Sequence, residues 1–333
     1  MSKAVLMNKL FFTLVCLIVS VITGLAPLAL HEDGMLRGEA LEDWNLGHNF
    51  VRGKGWWVTN RAENLKNDLP GQCVEGLGCD AVWGAYRYPL YPMLLGISSL
   101  LYDNMLFWLR FWSIPAFLLT LAVLYRFTEL VSGSSRYAWV SVVAYAGVRE
   151  VAGRLYVAGH DNLYMLLFFM ALYYLYIKRV DGMLVATFFL GMARLQIALA
   201  FLVAIIITHR EFRVQAVIWL LVLTPLIAIQ ATTPHRFRDR DFNADGFGRG
   251  LEAVYSMFIS FRDQVLYSVP GLLGFFIFPM LMVFTRFWRE QTVIILTWFL
   301  LCIMYAPFGV SFRYVIPIVA TMAWVPKWLE EKR

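Results

Sequence analysis

The run LFWLRFWSIPAFLLTLAVLYRF, residues 106–127, decides what kind of protein this is. Its only charged residues are Arg110 and Arg126. About 20 mostly apolar residues in a helix are enough to cross a hydrocarbon core of about 30 Å. The whole chain shares this character: 60% of its 333 residues are hydrophobic and 16% are charged. That is too apolar for an ordinary soluble domain, and it points to a polytopic membrane protein. The net charge of +6 does not suggest a nucleic-acid binder. Lysines and arginines fall in short groups between apolar runs, which is the pattern that orients helices across a membrane.

Before this span, residues 10–30 form an apolar run behind Lys3 and Lys9. It is longer than a signal-peptide core and lacks a small-residue cleavage site, so it is expected to stay as an anchor with the amino terminus cytoplasmic. Residues 31–88 follow as the longest polar segment directly behind an apolar span, reading HEDGMLRGEALEDWNLGHNFVRGKGWW at first. This first outer loop holds Trp44, Trp56, Trp57 and Trp83, suited to short amphipathic helices at the headgroup level. Cys73 and Cys79 bracket VEGLG, a small loop that a disulfide would close on an oxidising face.

After the loop, residues 89–102 are too short a run to cross and read as a juxtamembrane or re-entrant helix. Spans are expected at 106–127, 137–148 and 163–177. A pair of short helices follows at 183–192 and 197–208, interrupted by Arg194 and Gln196 at the outer side. Further spans are expected at 214–230, 265–285, 292–307 and 312–325, with a second outer loop at 231–264. The expected architecture is a single all-α integral membrane domain over 1–333: a bundle of about ten transmembrane helices, with juxtamembrane helices in the first outer loop. Basic groups at 126–136, 178–179, 209–213, 286–289 and 327–333 then share one side. Both termini lie on it, which places the chain in the inner (plasma) membrane with cytoplasmic ends.

Three acidic clusters follow the first span: Glu32 with Asp33, then Glu39, then Glu42 with Asp43. A carboxylate just outside a membrane helix is partly desolvated, which makes it a better proton acceptor near neutral pH. The alternative is a solvated loop with ordinary charges. Arg194 lies inside an apolar stretch, where a charge is expensive and usually faces a polar cavity; the alternative is an interfacial Arg snorkelling outward. Arg149 and Arg154 sit in the short loop REVAGRLYVAGHD, which ends at His160 and Asp161. In the second outer loop, DFNADGFGRGLE places Asp241, Asn243, Asp245 and Glu252 at positions 1, 3, 5 and 12, with Gly246 at 6. That is the oxygen-ligand spacing of a calcium loop, for Ca2+ or a smaller divalent ion such as Mg2+ or Mn2+. Its alternative is a polar loop built from turn residues. Asp239 and Asp241 offer a further arrangement, in which a metal would touch a phosphate.

The order of these features resembles the polyprenol-phosphate-dependent glycosyltransferases of the C superfamily, which include protein O-mannosyltransferases and lipid A aminoarabinose transferases. The matching elements are Asp33 beyond the first span, Gly53-Lys54-Gly55-Trp56, Pro89-Leu90-Tyr91-Pro92, Arg110, and Arg313-Tyr314 with Pro317 in SFRYVIPIV. The resemblance implies inverting transfer of a sugar from a polyprenyl-phosphate donor to an acceptor on the periplasmic face. The acceptor would be an envelope glycan, lipid or protein. It implies Asp33 as the base, with Glu32, Glu39 and Asp43 as rivals. Arg194, Arg313, Arg149 and Arg154 are candidates for the donor phosphate, and Tyr88, Tyr91, His160 and Tyr314 for the substrate cavity. The family's large carboxy-terminal soluble domain has no counterpart here, so acceptor recognition is expected to use the outer loops or another protein. Two rival readings are a transporter or flippase of a lipid-linked or polar substrate, and a scaffold of the same fold without catalysis.

Overall fold

The structure, a computed structural model, describes residues 39–59, 72–84, 88–146, 159–232, 292–297 and 300–301. It is mostly helical. In chain order come α1 (Glu39–Val51), a small sheet of β1 (Trp57–Val58), β2 (Gln72–Val74) and β3 (Gly78–Trp83), α2 (Leu90–Ser99) and α3 (Met105–Ser132). Then follow α4 (Ser135–Ala146), α5 (Gly159–Tyr176), α6 (Val180–Ala193), α7 (Leu195–Thr208), α8 (Arg213–Val222) and α9 (Thr224–Thr232). The expected spans at 10–30, 265–285 and 312–325 lie outside the described residues. Of the span expected at 292–307, residues 292–297 and 300–301 are described, and they are helical.

α3 shows why the sequence makes a long helix here. Asn104 caps its start, the side-chain oxygen accepting from the Phe107 amide at 2.9 Å. Gly133 ends it at φ 67°, a left-handed conformation that suits glycine, and donates its own amide to Glu129 O at 2.8 Å. Among the described residues it is the one helix long and apolar enough to cross a membrane. α2, α6 and α7 are apolar but shorter.

Short connections fold the chain back on itself. Gly133 and Ser134 join α3 to α4, residues 177–179 join α5 to α6, and a short 3-10 turn at Arg210–Phe212 joins α7 to α8. The chain also turns back at Arg194: Phe201, on the second turn of α7, packs on Phe168 in the middle of α5, ring centroids 5.8 Å apart. One core results, filled by Phe117, Leu121 and Phe127 of α3, Phe168 and Phe169 of α5, and Phe201 of α7.

Two sequence expectations change. The first outer loop is not purely helical: β3 pairs antiparallel with β1 on one side and β2 on the other. The hairpin β2–β3 turns through Gly76 and Gly78, both at positive φ, and a disulfide joins Cys73 to Cys79 across it. The stretch read as one span at 214–230 is two helices, α8 and α9, divided at Leu223. Pro225 enters the first turn of α9, where its missing N–H costs nothing, whereas inside one continuous helix it would break a bond.

α1 packs on α2 by direct backbone contact. A Cβ on Gly47 would collide with the Pro92 carbonyl and come within 2.8 Å of the Gly96 amide nitrogen. A Cβ on Gly96 would collide with the Gly47 carbonyl in turn. Two glycines facing each other let the helices approach this closely.

Candidate functional site

Arg194 is the one residue between α6 and α7, extended at φ −161° and ψ 90°. Its amide closes α6 by donating to Leu190 O, and its carbonyl accepts from Ile197 at the start of α7. The break turns the side chain into the protein, where Arg194 is 8% exposed. Its guanidinium lies 5.7 Å from the centroid of the Tyr88 ring and 5.5 Å from that of Tyr164. Two aromatic faces hold a cation by the negative charge above their rings, an attraction that strengthens away from water. The Tyr88 hydroxyl bonds to the side-chain oxygen of Gln196, which fixes the ring.

Carboxylates gather at the same end of the bundle. Glu42 and Asp43 on α1 are buried, and so are Asp161 and Asn162 in the first turn of α5. The Asn162 amide donates to Ser113 Oγ on α3 at 2.7 Å. Asp161 lies where a helix N-terminus favours negative charge. Ala40, Trp44, Tyr91, Leu95, Trp108 and Leu109 form one buried cluster, with Leu163 packed against it. That cluster ties α1, α2 and the first turns of α3 and α5 together. The two tyrosines ahead of and within α2 link the two signs of charge: Tyr88 rests on Arg194, and Tyr91 lies in the electrostatic field of Asp43.

α1 is held in place at its far end by charge. Arg52 donates to Asp103 Oδ2 at 2.9 Å and meets His48 Nδ1 at 2.7 Å, while His48 Nε2 lies 3.3 Å from the Asp103 carboxylate. Asn49 adds a bond to Trp57 O at 2.9 Å. A neutral imidazole carrying its proton on Nε2 suits both contacts, since Nδ1 then accepts from Arg52. Partial burial, then the Arg52 charge and the smaller push of Lys54, hold the His48 pKa below its ordinary 6.5, against the pull of Asp103. Because the folded pKa is depressed, the unfolded chain binds more protons across this window. The contribution is complete above the ordinary histidine value and is lost as pH falls through the lowered one. Thermal unfolding of the purified protein should therefore lose more stability from pH 7 to pH 5 in the wild type than in His48→Gln; equal losses would show that His48 is not responsible.

The candidates read from the sequence divide as follows. The structure brings Asp43, Arg194, Tyr88 and Tyr91 to one end of the bundle. Glu39 opens α1 and His160 lies in the first turn of α5, so their backbones border that end. Glu32, Asp33, Arg149, Arg154, Arg313 and Tyr314 lie outside the described residues, as do Asp241, Asn243, Asp245 and Glu252 of the calcium-like loop. Among the described residues, no group of three or more His, Cys, Asp or Glu side chains is placed to hold a metal ion. Asn162 is the site residue the sequence did not single out, and Glu42, Asp161 and Gln196 were noted there without an assigned role. Their signal was a polar residue at the margin of an apolar run, which also describes ordinary interfacial side chains. Compared with models of known families, with curated proteins and with solved structures, the chain matches none.

Proposed function

We propose that this chain is a multi-pass protein of the plasma membrane, with a transferase site at its outer end that moves a sugar from a polyprenyl-phosphate donor to an acceptor. Its helices alternate in direction. Arg126, Arg136, Lys178, Arg179, Arg210 and Arg213 then share the cytoplasmic end, and Arg194 and Asp161 the outer one. α6 and α7 have 14 residues each, a rise of about 21 Å against a hydrocarbon core of about 30 Å. Arg194 on this reading sits roughly 9 Å below the outer interface, at a depth that a lipid-linked phosphate can reach from the bilayer.

The chemistry needs one base and one cation. The acceptor O–H or N–H attacks the anomeric carbon as the carbon–oxygen bond to the lipid phosphate breaks, and configuration inverts. The acceptor proton passes to a carboxylate, for which we assign Asp43 with Glu42 beside it. The leaving phosphate monoester gains negative charge, which Arg194 stabilises. The observation that supports this reading is Arg194 held between the Tyr88 and Tyr164 rings, with Glu42 and Asp43 also buried, on the α1 that packs against α2. A transporter is the second reading, favoured by two short helices that meet at Arg194 beside buried charges. The deciding experiment reconstitutes the protein in liposomes with a radiolabelled polyprenyl-phosphate sugar. Release of sugar from the lipid, lost in Asp43→Asn but not in Asp33→Asn, supports the transferase and this base. Movement of intact donor between leaflets without release supports the transporter.

A further inference from the structure

The outward face of α3 carries a groove of about 560 Å³ that the proposed chemistry does not use. Asn104, Phe107, Arg110, Phe111, Ile114 and Pro115 line it. Trp108, Leu109 and Ser113 are buried toward α1, α2 and α5, so the groove faces away from the carboxylates and Arg194. Phe107 and Phe111 are each nearly half exposed and stacked, centroids 5.9 Å apart. Pro115 cannot donate to the Phe111 carbonyl, which opens the backbone on this side. Arg110 sits in the middle of this apolar wall, and no carboxylate of the described residues forms an ion pair with it.

Position says what the cation meets. Arg110 lies sixteen residues above Arg126, whose ion pair with Glu129 marks the cytoplasmic end of α3. Sixteen residues of helix rise about 24 Å, which puts Arg110 near the outer boundary between acyl chains and headgroups. Arginine also breaks the rule that basic residues gather on the cytoplasmic side, and a guanidinium's fork of donors matches phosphate. We propose that this groove is a binding site for an anionic phospholipid of the outer leaflet, with the lipid phosphate on Arg110 and an acyl chain along Phe107, Phe111 and Ile114. The inference rests on the membrane placement above and not on the transferase chemistry.

The test places purified protein in nanodiscs of equal parts phosphatidylglycerol and phosphatidylcholine, then extracts it into mild detergent and counts retained lipids by native mass spectrometry. Wild type should retain phosphatidylglycerol several-fold over phosphatidylcholine. Arg110→Gln should lose that preference, Arg110→Lys should keep part of it, and 10 mM inorganic phosphate should not displace the lipid. Equal retention of the two lipids by the wild type, or an unchanged preference in Arg110→Gln, overturns the site. Displacement by inorganic phosphate overturns the lipid assignment. If Arg110→Gln does not fold, Phe107→Ala with Phe111→Ala gives the second reading, since it should lower retention while leaving Arg110 in place. Protein that fails to enter nanodiscs overturns the membrane placement itself, which separates that failure from failure of the lipid site.

Discussion

Gly47→Ala should cost the protein its folded state or most of its stability. The added methyl collides with the Pro92 carbonyl and stands within 2.8 Å of the Gly96 nitrogen, and both obstacles are backbone. A flexible side chain could rotate away; a helix must move as a body. Overpacking of this kind costs about 1–3 kcal/mol where side chains can yield, and at a backbone crossing we expect at least about 3 kcal/mol. Gly96→Val should be worse, since its Cβ meets the Gly47 carbonyl and lies 3.0 Å from the Gly47 Cα. On the proposed chemistry the same change would lower activity, because α1 carries Glu42 and Asp43 and the crossing with α2 sets where they stand. Melting of detergent-solubilised protein, followed by size-exclusion fluorescence, measures it. Gly47→Ala melting within a degree of the wild type would mean that α1 does not cross α2 as described.

The second large effect is expected at Arg194. Arg194→Met removes the cation held between Tyr88 and Tyr164 and leaves the carboxylates of Glu42, Asp43 and Asp161 at the same buried end. Loss of a preorganised charge that stabilises a leaving group lowers kcat by about 10²–10³. Arg194→Lys keeps the charge but loses the planar fork and the stacking, so it should recover only part of the rate. Asp43→Asn should lower kcat by a similar factor of about 10² with little change in donor KM, because a base acts in the transition state and not in donor binding. A merely structural role for Arg194 would show in melting temperature and leave the kcat of the surviving folded fraction unchanged.

How much of this was written in the sequence differs from element to element. α3 was legible because an apolar run bounded by charges reads directly as a long helix. Its ends were drawn at 106 and 127, short of the observed Met105–Ser132, because Asn104 and Gly133 rather than hydropathy set them. The pair α6 and α7, interrupted at Arg194, was legible because a charge between two apolar runs has to interrupt or face inward. The sheet was not: β1 is two residues long, and β3 contains a glycine and a cysteine, so neither shows the alternation that marks a strand. The site was half legible. Arg194, Tyr88, Tyr91 and Asp43 were named for their chemistry, but Glu42 and Asp43 read equally well as charges in a solvated loop. α1 packs on α2 through residues far apart in the chain, such as Gly47 and Gly96, and no local pattern records such contacts.

The proposed transferase requires a lipid-linked phosphate to bind between Arg194 and the α1 carboxylates. A structure in lipid nanodiscs with a polyprenyl phosphate added tests it most directly. Phosphate density is expected within hydrogen-bond reach of the Arg194 guanidinium, with the Asp43 or Glu42 carboxylate on the other side of the sugar. Density elsewhere, or no lipid and a continuous polar path through the bundle, would contradict the transferase and leave a transporter in its place.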